Sequence, residues 1–294
     1  MYYDIFITNW NGAYKKMACK AIKSKKISFI GAGNMAFACI TGLLSASFLQ
    51  PENFYIYDVD KSKYDNYIMQ NVKKCDSIDD AVEASDIIVL AVKPQHMSSA
   101  LASIRNTGLC AEKKRIFVSF AAGVSTSYIV SKLGYNAPVI RTMPNTPFLI
   151  GKGTMAAAKN DYTDKNDFEL VCSMFAYIAS VTALDESMMN KVISLNGSSP
   201  AYVFRFFDAM MDAAKAEGFS EKEARELILS TFDGSVAMLR KYPDTKQLIK
   251  NVTSPNGTTQ ASMESLDSDN FAQIIERCME RCTSRANELA ESLT

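Results

Sequence analysis

Histidine is almost missing from this chain: the 294 residues contain one, His96. Any Ser-His-Asp relay would have to run through that residue alone. The seven cysteines are scattered and form no C-x-x-C pair. Cys278 and Cys282 lie one helical turn apart, but with a single histidine in the chain a zinc site is not expected, and no metal is assigned. The pattern reads as reduced thiols in a cytoplasmic protein. A surplus of one charge is also lacking, because 32 Lys plus Arg balance 32 Asp plus Glu. Nothing remains to neutralise phosphates, which argues against a nucleic-acid partner. No run is long enough for a membrane: the longest aliphatic stretch is residues 87–92, against the roughly 20 residues a spanning helix needs. Internal repeats and low-complexity linkers are absent as well.

What is present is ordinary for a globular protein, with 48% apolar and 22% charged residues. The length suggests about two domains. The first 26 residues hold six lysines and no arginine, with no apolar core for a secretory signal and no Arg-rich transit pattern. Residues 1–25 read as a flexible N-terminal extension. The remainder divides into an α/β part, 26–185, and an all-helical part, 186–294.

The first part opens on an apolar strand, 26–30, that runs into Gly31-Ala-Gly33-Asn34-Met35-Ala36. A helical stretch follows, and then a second strand, 54–57, that ends at Asp58. Strand, glycine turn, helix, strand and acidic residue together are the signature of a dinucleotide-binding unit. Gly31 permits the tight turn and Gly33 lets the backbone approach a pyrophosphate. The helix N-terminus offers free N–H groups and positive potential. A carboxylate at Asp58 can accept both ribose hydroxyls of NADH and repels a 2′-phosphate. That favours NADH over NADPH, with Lys61 and Lys63 just beyond to offset the repulsion. Further strands are expected at 86–92, 115–119 and 139–141, with edge strands at 153–158 and 180–184. Ligands gather at the C-terminal ends of such strands, so residues 91–95 should border the cofactor. His96, just past one strand end, reads as a lining or solvent-facing residue.

Beyond Glu186 the pattern is helical. Ser199-Pro200 looks like a helix start, with the helix running over 201–217 and stopping at Gly218. It is apolar around most of its circumference, with Arg205, Asp208, Asp212 and Lys215 in one narrow stripe. One small domain can hardly cover such a helix, so a partner subunit is expected. Ser220-x-x-Glu223 is a capping box for the next helix, and a final helix should start near Asp269. Residues 251–259, N-V-T-S-P-N-G-T-T, interrupt the helices just before one at about Gln260. Successive free N–H groups there would form an anion nest suited to a carboxylate.

Several segments taken together resemble the pyrroline-5-carboxylate reductase family. They are F-I-G-A-G-N-M-A at 29–36, A-V-K-P-Q at 91–95, A-A-G-V-S at 121–125 and R-T-M-P-N-T-P at 141–147. L-N-G-S-S-P-A-Y at 195–202 and V-T-S-P-N-G-T-T at 252–259 complete the set. The resemblance implies a Rossmann domain followed by an all-α dimerisation domain, in a homodimer or a ring of dimers. It implies reduction of 1-pyrroline-5-carboxylate to L-proline by NADH or NADPH. Carried over by position, Gly31, Ala32, Gly33, Asn34, Met35, Ala91, Val92, Lys93, Pro94 and Ala121 hold the cofactor, with Asn251 on the nicotinamide side. Val252, Ser254, Pro255, Asn256, Gly257, Thr258 and Thr259 hold the substrate carboxylate. Thr259 bonds the ring nitrogen and is the catalytic candidate, and Glu186 matches an acidic residue near the ring. The chain departs from the family at Asn196 and Ser199, in a segment usually S-G-S-G-P-A-Y, and at Asn256, usually glycine. Asn256 fits because Asn tolerates positive φ. Asn190 stands where an Asp is common. Two rival readings remain open: a related imine or hydroxyacid reductase, for which Lys191 or Lys215 would have to serve, and a non-catalytic relative.

Overall fold

The computed structural model describes residues 22–109 and 113–292. Those residues fall into two compact units, 22–198 together with 282–292, and 199–281. Of the expected N-terminal extension, residues 1–21 lie outside the described residues. Residues 22–25 do not behave as a loose tail: Ile22 is fully buried, and the Asn53 side chain donates to the carbonyls of Lys23 and Lys25.

The first unit is built on an eight-stranded sheet. The strands are β1 (Ile27–Ile30), β2 (Phe54–Tyr57), β3 (Lys73–Lys74), β4 (Ile87–Leu90), β5 (Ile116–Ser119), β6 (Val139–Pro144), β7 (Gly153–Lys159) and β8 (Ala179–Ala183). Their order is β3-β2-β1-β4-β5-β6-β7-β8. All neighbours are parallel except β6 and β7. The central strands β1, β4 and β5 are buried at every residue, which is why they read as continuous apolar runs rather than alternating ones.

Side-chain alternation then feeds two separate cores. Ile27, Phe29, Ile87 and Val89 pack with α1 (Asn34–Ser45) and α5 (Lys165–Phe175) on one face. Ile30, Ile88 and Leu90 pack with α2 (Ile78–Ala84), α3 (Met97–Asn106) and α4 (Thr126–Leu133) on the other. Each fully buried Ile, Leu or Phe contributes about 1.5–3 kcal/mol, so the doubly wound arrangement follows from the strand composition. The order in which strands are added reverses at β1, which sits between β2 and β4 while all three run parallel. The C-terminal ends of β1 and β4 are therefore the switch point where such sheets bind ligands.

Residues 186–198, which the sequence reading assigns to the second part, make their contacts inside the first unit. Met189 and Val192 pack on Ala156 and Ala158 of β7, and Asn196 Nδ2 donates to the Met143 carbonyl at 2.8 Å. The compact division by contacts falls after Ser198. These residues have the apolar spacing of a helix, and only tertiary packing decides which body they join.

The second unit holds α6 (Ser199–Ala216), α7 (Glu221–Lys241), α8 (Thr245–Val252), α9 (Thr258–Ser268) and the start of α10 (Phe271–Glu291). Gly218, at φ +94°, ends α6, and Ser220 with Glu223 forms the expected capping box. The internal core is small: Met211, Ala224 and Ile228 are buried, with Phe207, Met210, Ala214 and Phe232 around them. Val203, Phe204 and Leu227 are each more than half exposed. No helix among the described residues is long and apolar enough to cross a membrane.

Candidate functional site

The Gly31–Gly33 turn follows β1 at the switch point. Gly31 sits at φ +103°, and its N–H donates to the Tyr57 carbonyl at 2.8 Å. A Cβ there would stand 2.7 Å from the carbonyl carbon and oxygen of Ala91. Only glycine lets β1 leave the sheet so close to the end of β4. Gly33 differs. It is the N-cap of α1 in extended backbone, no side chain caps the helix, and a Cβ would meet nothing within 4 Å. The first bond of the helix runs from Phe37 N–H to the Gly33 carbonyl. The N–H groups of Asn34, Met35 and Ala36 therefore have no acceptor among the described residues. Open space beside uncapped N–H groups fits a pyrophosphate.

Asp58 directly follows β2 and is nearly buried. Its Oδ2 accepts the Ala32 N–H at 2.8 Å, and its Oδ1 accepts the Asp60 N–H at 2.9 Å. The Lys63 ammonium donates to both oxygens, at 2.9 and 3.0 Å. Burial pushes the Asp58 carboxyl up, but these N–H groups and Lys63 outweigh it and the pKa is lowered. The ribose-accepting role assigned to Asp58 thus meets a carboxylate whose acceptor positions are already filled.

The other cofactor candidates line the neighbouring strand ends. Ala91, Val92 and Pro94 are partly accessible and Lys93 is exposed, whereas Ala121 is buried and donates its N–H to Ser119 Oγ. His96 is exposed. Asn145 of the R-T-M-P-N segment is a tie: its side chain accepts the Thr154 N–H and donates to Thr154 Oγ1 and the Asn196 carbonyl.

Glu186 belongs to this unit. Its Oε1 accepts the Thr126 N–H at 2.7 Å and its Oε2 the Thr126 hydroxyl, at the first turn of α4. Arg141 Nη1 lies 3.8 Å from Oε1. The buried guanidinium also donates to Asn190 Oδ1, and Asn190 Nδ2 donates to Asn287 Oδ1 at 2.8 Å. Sequence reasoning passed over Arg141 and Thr126. An arginine inside a buried strand is the one local signal that could have pointed to them, because a buried charge needs partners.

In the second unit the expected loop is shorter than 251–259. Asn251 and Val252 are the last residues of α8, whose N-cap is Asp244. Asn251 Oδ1 accepts from Gln247 Nε2 at 2.7 Å. The turn itself tightens around Asn256 at φ +58°, the conformation expected for it. A Cβ on Gly257 would lie 2.4 Å from Ser254 Oγ and 3.0 Å from the Ser254 carbonyl oxygen, so any larger residue there would have to displace the Ser254 hydroxyl. Several loop donors are already used: Thr253 N–H on Lys250, Gly257 N–H on Ser254 and Asn256 N–H on the Gln260 side chain. Pro255 has none to give. Gly257 is the N-cap of α9 and no side chain caps it. The N–H groups of Ser254, Thr258 and Thr259 have no acceptor among the described residues. They form a second uncapped helix start, suited to an anion. Thr259 is half-buried in that first turn.

A family model described as pyrroline-5-carboxylate reductase dimerisation matches residues 186–289, and one described as NADP oxidoreductase, coenzyme F420-dependent, matches 26–123. Pyrroline-5-carboxylate reductase 2 of Bacillus subtilis is 33% identical, over 91% of this chain and 96% of its own length. The chain belongs to the pyrroline-5-carboxylate reductase family. The pyrroline-5-carboxylate reductase of Escherichia coli is 31% identical over 91% of this chain and 99% of its own. Among solved structures, a Plasmodium falciparum pyrroline carboxylate reductase with NADP bound superposes with a TM-score of 0.84 at 26% identity, covering 91% of this chain and 99% of that one. The α/β sheet followed by a helical domain is the architecture the resemblance implied.

Proposed function

We propose that this member of the pyrroline-5-carboxylate reductase family reduces 1-pyrroline-5-carboxylate to L-proline with NADH or NADPH, the last step of proline biosynthesis. The observation that carries the reading is one uncapped helix start in each unit. The start after Gly33 suits a pyrophosphate, and the start after Gly257 suits a carboxylate. When bound, the nicotinamide supplies the hydride. The chain's own residues bind and orient. The N–H groups of Asn34 to Ala36 hold the pyrophosphate, and Ala91 to Pro94 with Ala121 shape the wall beside it. The N–H groups of Ser254, Thr258 and Thr259 fix the substrate carboxylate. The Thr259 hydroxyl pairs with the ring nitrogen, whose protonation makes the adjacent imine carbon electrophilic. Such a reduction depends on alignment at near-attack distance more than on a strong base. The site therefore has no need of a His, Cys or Lys dyad. Lys191 and Lys215, which a hydroxyacid reductase would require, are both exposed.

The second unit is completed by a second copy of the chain, because its own core cannot cover Val203, Phe204 and Phe206. A ring of such dimers is the fuller assembly. A cytoplasmic location accords with the unpaired thiols of Cys39, Cys75 and Cys172.

Adding 1-pyrroline-5-carboxylate and following the nicotinamide absorbance tests the activity; no oxidation with either cofactor overturns it. Light scattering tests the assembly. A stable wild-type monomer at low concentration, or a Phe204→Asp and Phe206→Asp double variant that assembles normally, removes the dimer.

A further inference from the structure

The turn after β2 holds two lysines and a buried carboxylate whose bonding can be counted. Lys61 Nζ donates to Tyr64 Oη at 2.9 Å, to the Cys75 carbonyl at 3.0 Å and to the Asp76 carbonyl at 3.1 Å. An ammonium has three N–H donors, so Lys61 is fully committed to anchoring the turn against the segment after β3. Lys63 is not. It spends two donors on Asp58, keeps one, and its side chain is 39% exposed. Asp58 is in the opposite condition. Both oxygens accept a backbone N–H and a lysine N–H, which uses the four acceptor directions a carboxylate offers. One of those bonds, to Ala32 N–H, fixes the glycine turn itself.

We infer that Asp58 is a positioning residue for the Gly31–Gly33 turn, and that Lys63 sets cofactor choice by taking the ribose 2′-phosphate of NADPH. The inference rests on the dinucleotide reading of this unit and reverses the NADH preference that Asp58 suggests from sequence. A ribose hydroxyl can reach Asp58 only by displacing Lys63. A 2′-phosphate instead meets a cation with a free donor, beside a carboxylate already compensated by that cation and two N–H groups. Charge-assisted bonds to phosphate are among the stronger ones, and a partly exposed one weakens with salt.

The experiment compares 2′,5′-ADP with 5′-AMP, which differ only at the 2′ position and carry no nicotinamide. Binding is read by calorimetry on the intact protein, alongside thermal melting without nucleotide. Wild type should prefer 2′,5′-ADP by about tenfold or more, with the preference shrinking as salt rises. Lys63→Met should remove most of that preference while keeping 5′-AMP binding, and Lys63→Arg should retain it. Asp58→Asn should lower the melting temperature and weaken both nucleotides alike. Equal binding of the two nucleotides by wild type, or an unchanged preference in Lys63→Met, overturns the Lys63 assignment alone. An Asp58→Asn protein that melts like wild type and loses only 5′-AMP restores the ribose role. Binding of neither nucleotide overturns the dinucleotide reading and this inference with it.

Discussion

The carboxylate of Glu186 accepts the backbone N–H of Thr126 at 2.7 Å, joining the start of α4 to the segment that follows β8. Its second oxygen takes the Thr126 hydroxyl, and Arg141 stands 3.8 Å away. A negative group at a helix N-terminus is favourable, and here it also serves a buried guanidinium.

Glu186→Ala should therefore destabilise the protein by about 1–3 kcal/mol, the cost of leaving buried donors without an acceptor. The melting temperature should fall while KM for the imine stays near its wild-type value. A raised KM with unchanged melting would instead place Glu186 at the substrate ring.

The two glycines of the turn should fail differently. Gly31→Ala puts a Cβ 2.7 Å from Ala91 backbone atoms at φ +103°. A left-handed conformation alone costs roughly 1–2 kcal/mol for a non-glycine residue, and the clash adds to it, so this variant should melt early or fail to fold. Gly33→Ala meets no protein atom within 4 Å. It should melt like wild type and bind NADPH and NADH less tightly, because the methyl group occupies the phosphate approach. Wild-type cofactor affinity in folded Gly33→Ala would remove the pyrophosphate from this corner.

These local features were legible in the sequence because each is written in a few consecutive residues. The Gly31–Gly33 turn, the stop at Gly218, the Ser220–Glu223 box and the positive φ of Asn256 depend on backbone chemistry that residue type dictates. The chain from Thr126 through Glu186, Arg141 and Asn190 to Asn287 was not legible, since its members come from distant segments that only the fold brings together. β3 escaped notice because Lys73 and Lys74 are exposed and show no apolar pattern. The saturation of Asp58 was hidden for another reason. Lys63 is near in sequence, but whether it faces ribose or carboxylate is a matter of geometry.

Asp86 ties the β1 end of the sheet through the Lys26 N–H at 3.1 Å and the Lys113 ammonium at 2.6 Å. Burial pushes its carboxyl up, but Lys113 and the Lys26 N–H more than offset this, and the folded pKa is lowered. A folded value below the unfolded one adds stability that is complete above the ordinary carboxylate range and is lost as pH falls through the lowered value. Asp86→Asn should lower the urea midpoint at about pH 7, and the gap to wild type should close as pH falls below the ordinary carboxylate range and through the lowered folded value. A gap independent of pH would mean that shape, and not charge, is what Asp86 contributes.

Thr259 lies in the first turn of α9, two residues past the N-cap at Gly257, and its hydroxyl has no partner among the described residues. The Thr259 hydroxyl therefore makes no capping bond, which leaves it for the substrate. Thr259→Ser keeps the group and should keep most of the activity. Thr259→Val keeps the shape and removes both donor and acceptor, so the ring nitrogen loses its partner. A hydrogen bond to a charged group contributes about 1.5–3 kcal/mol, which corresponds to roughly 10- to 150-fold in kcat/KM. The melting temperature should barely move, since nothing in the fold depends on that oxygen. Steady-state kinetics of both variants at a temperature where each is folded decides the matter. If Thr259→Val turns over like wild type, the nitrogen is served by water or a backbone group, and the role of the loop reduces to holding the carboxylate.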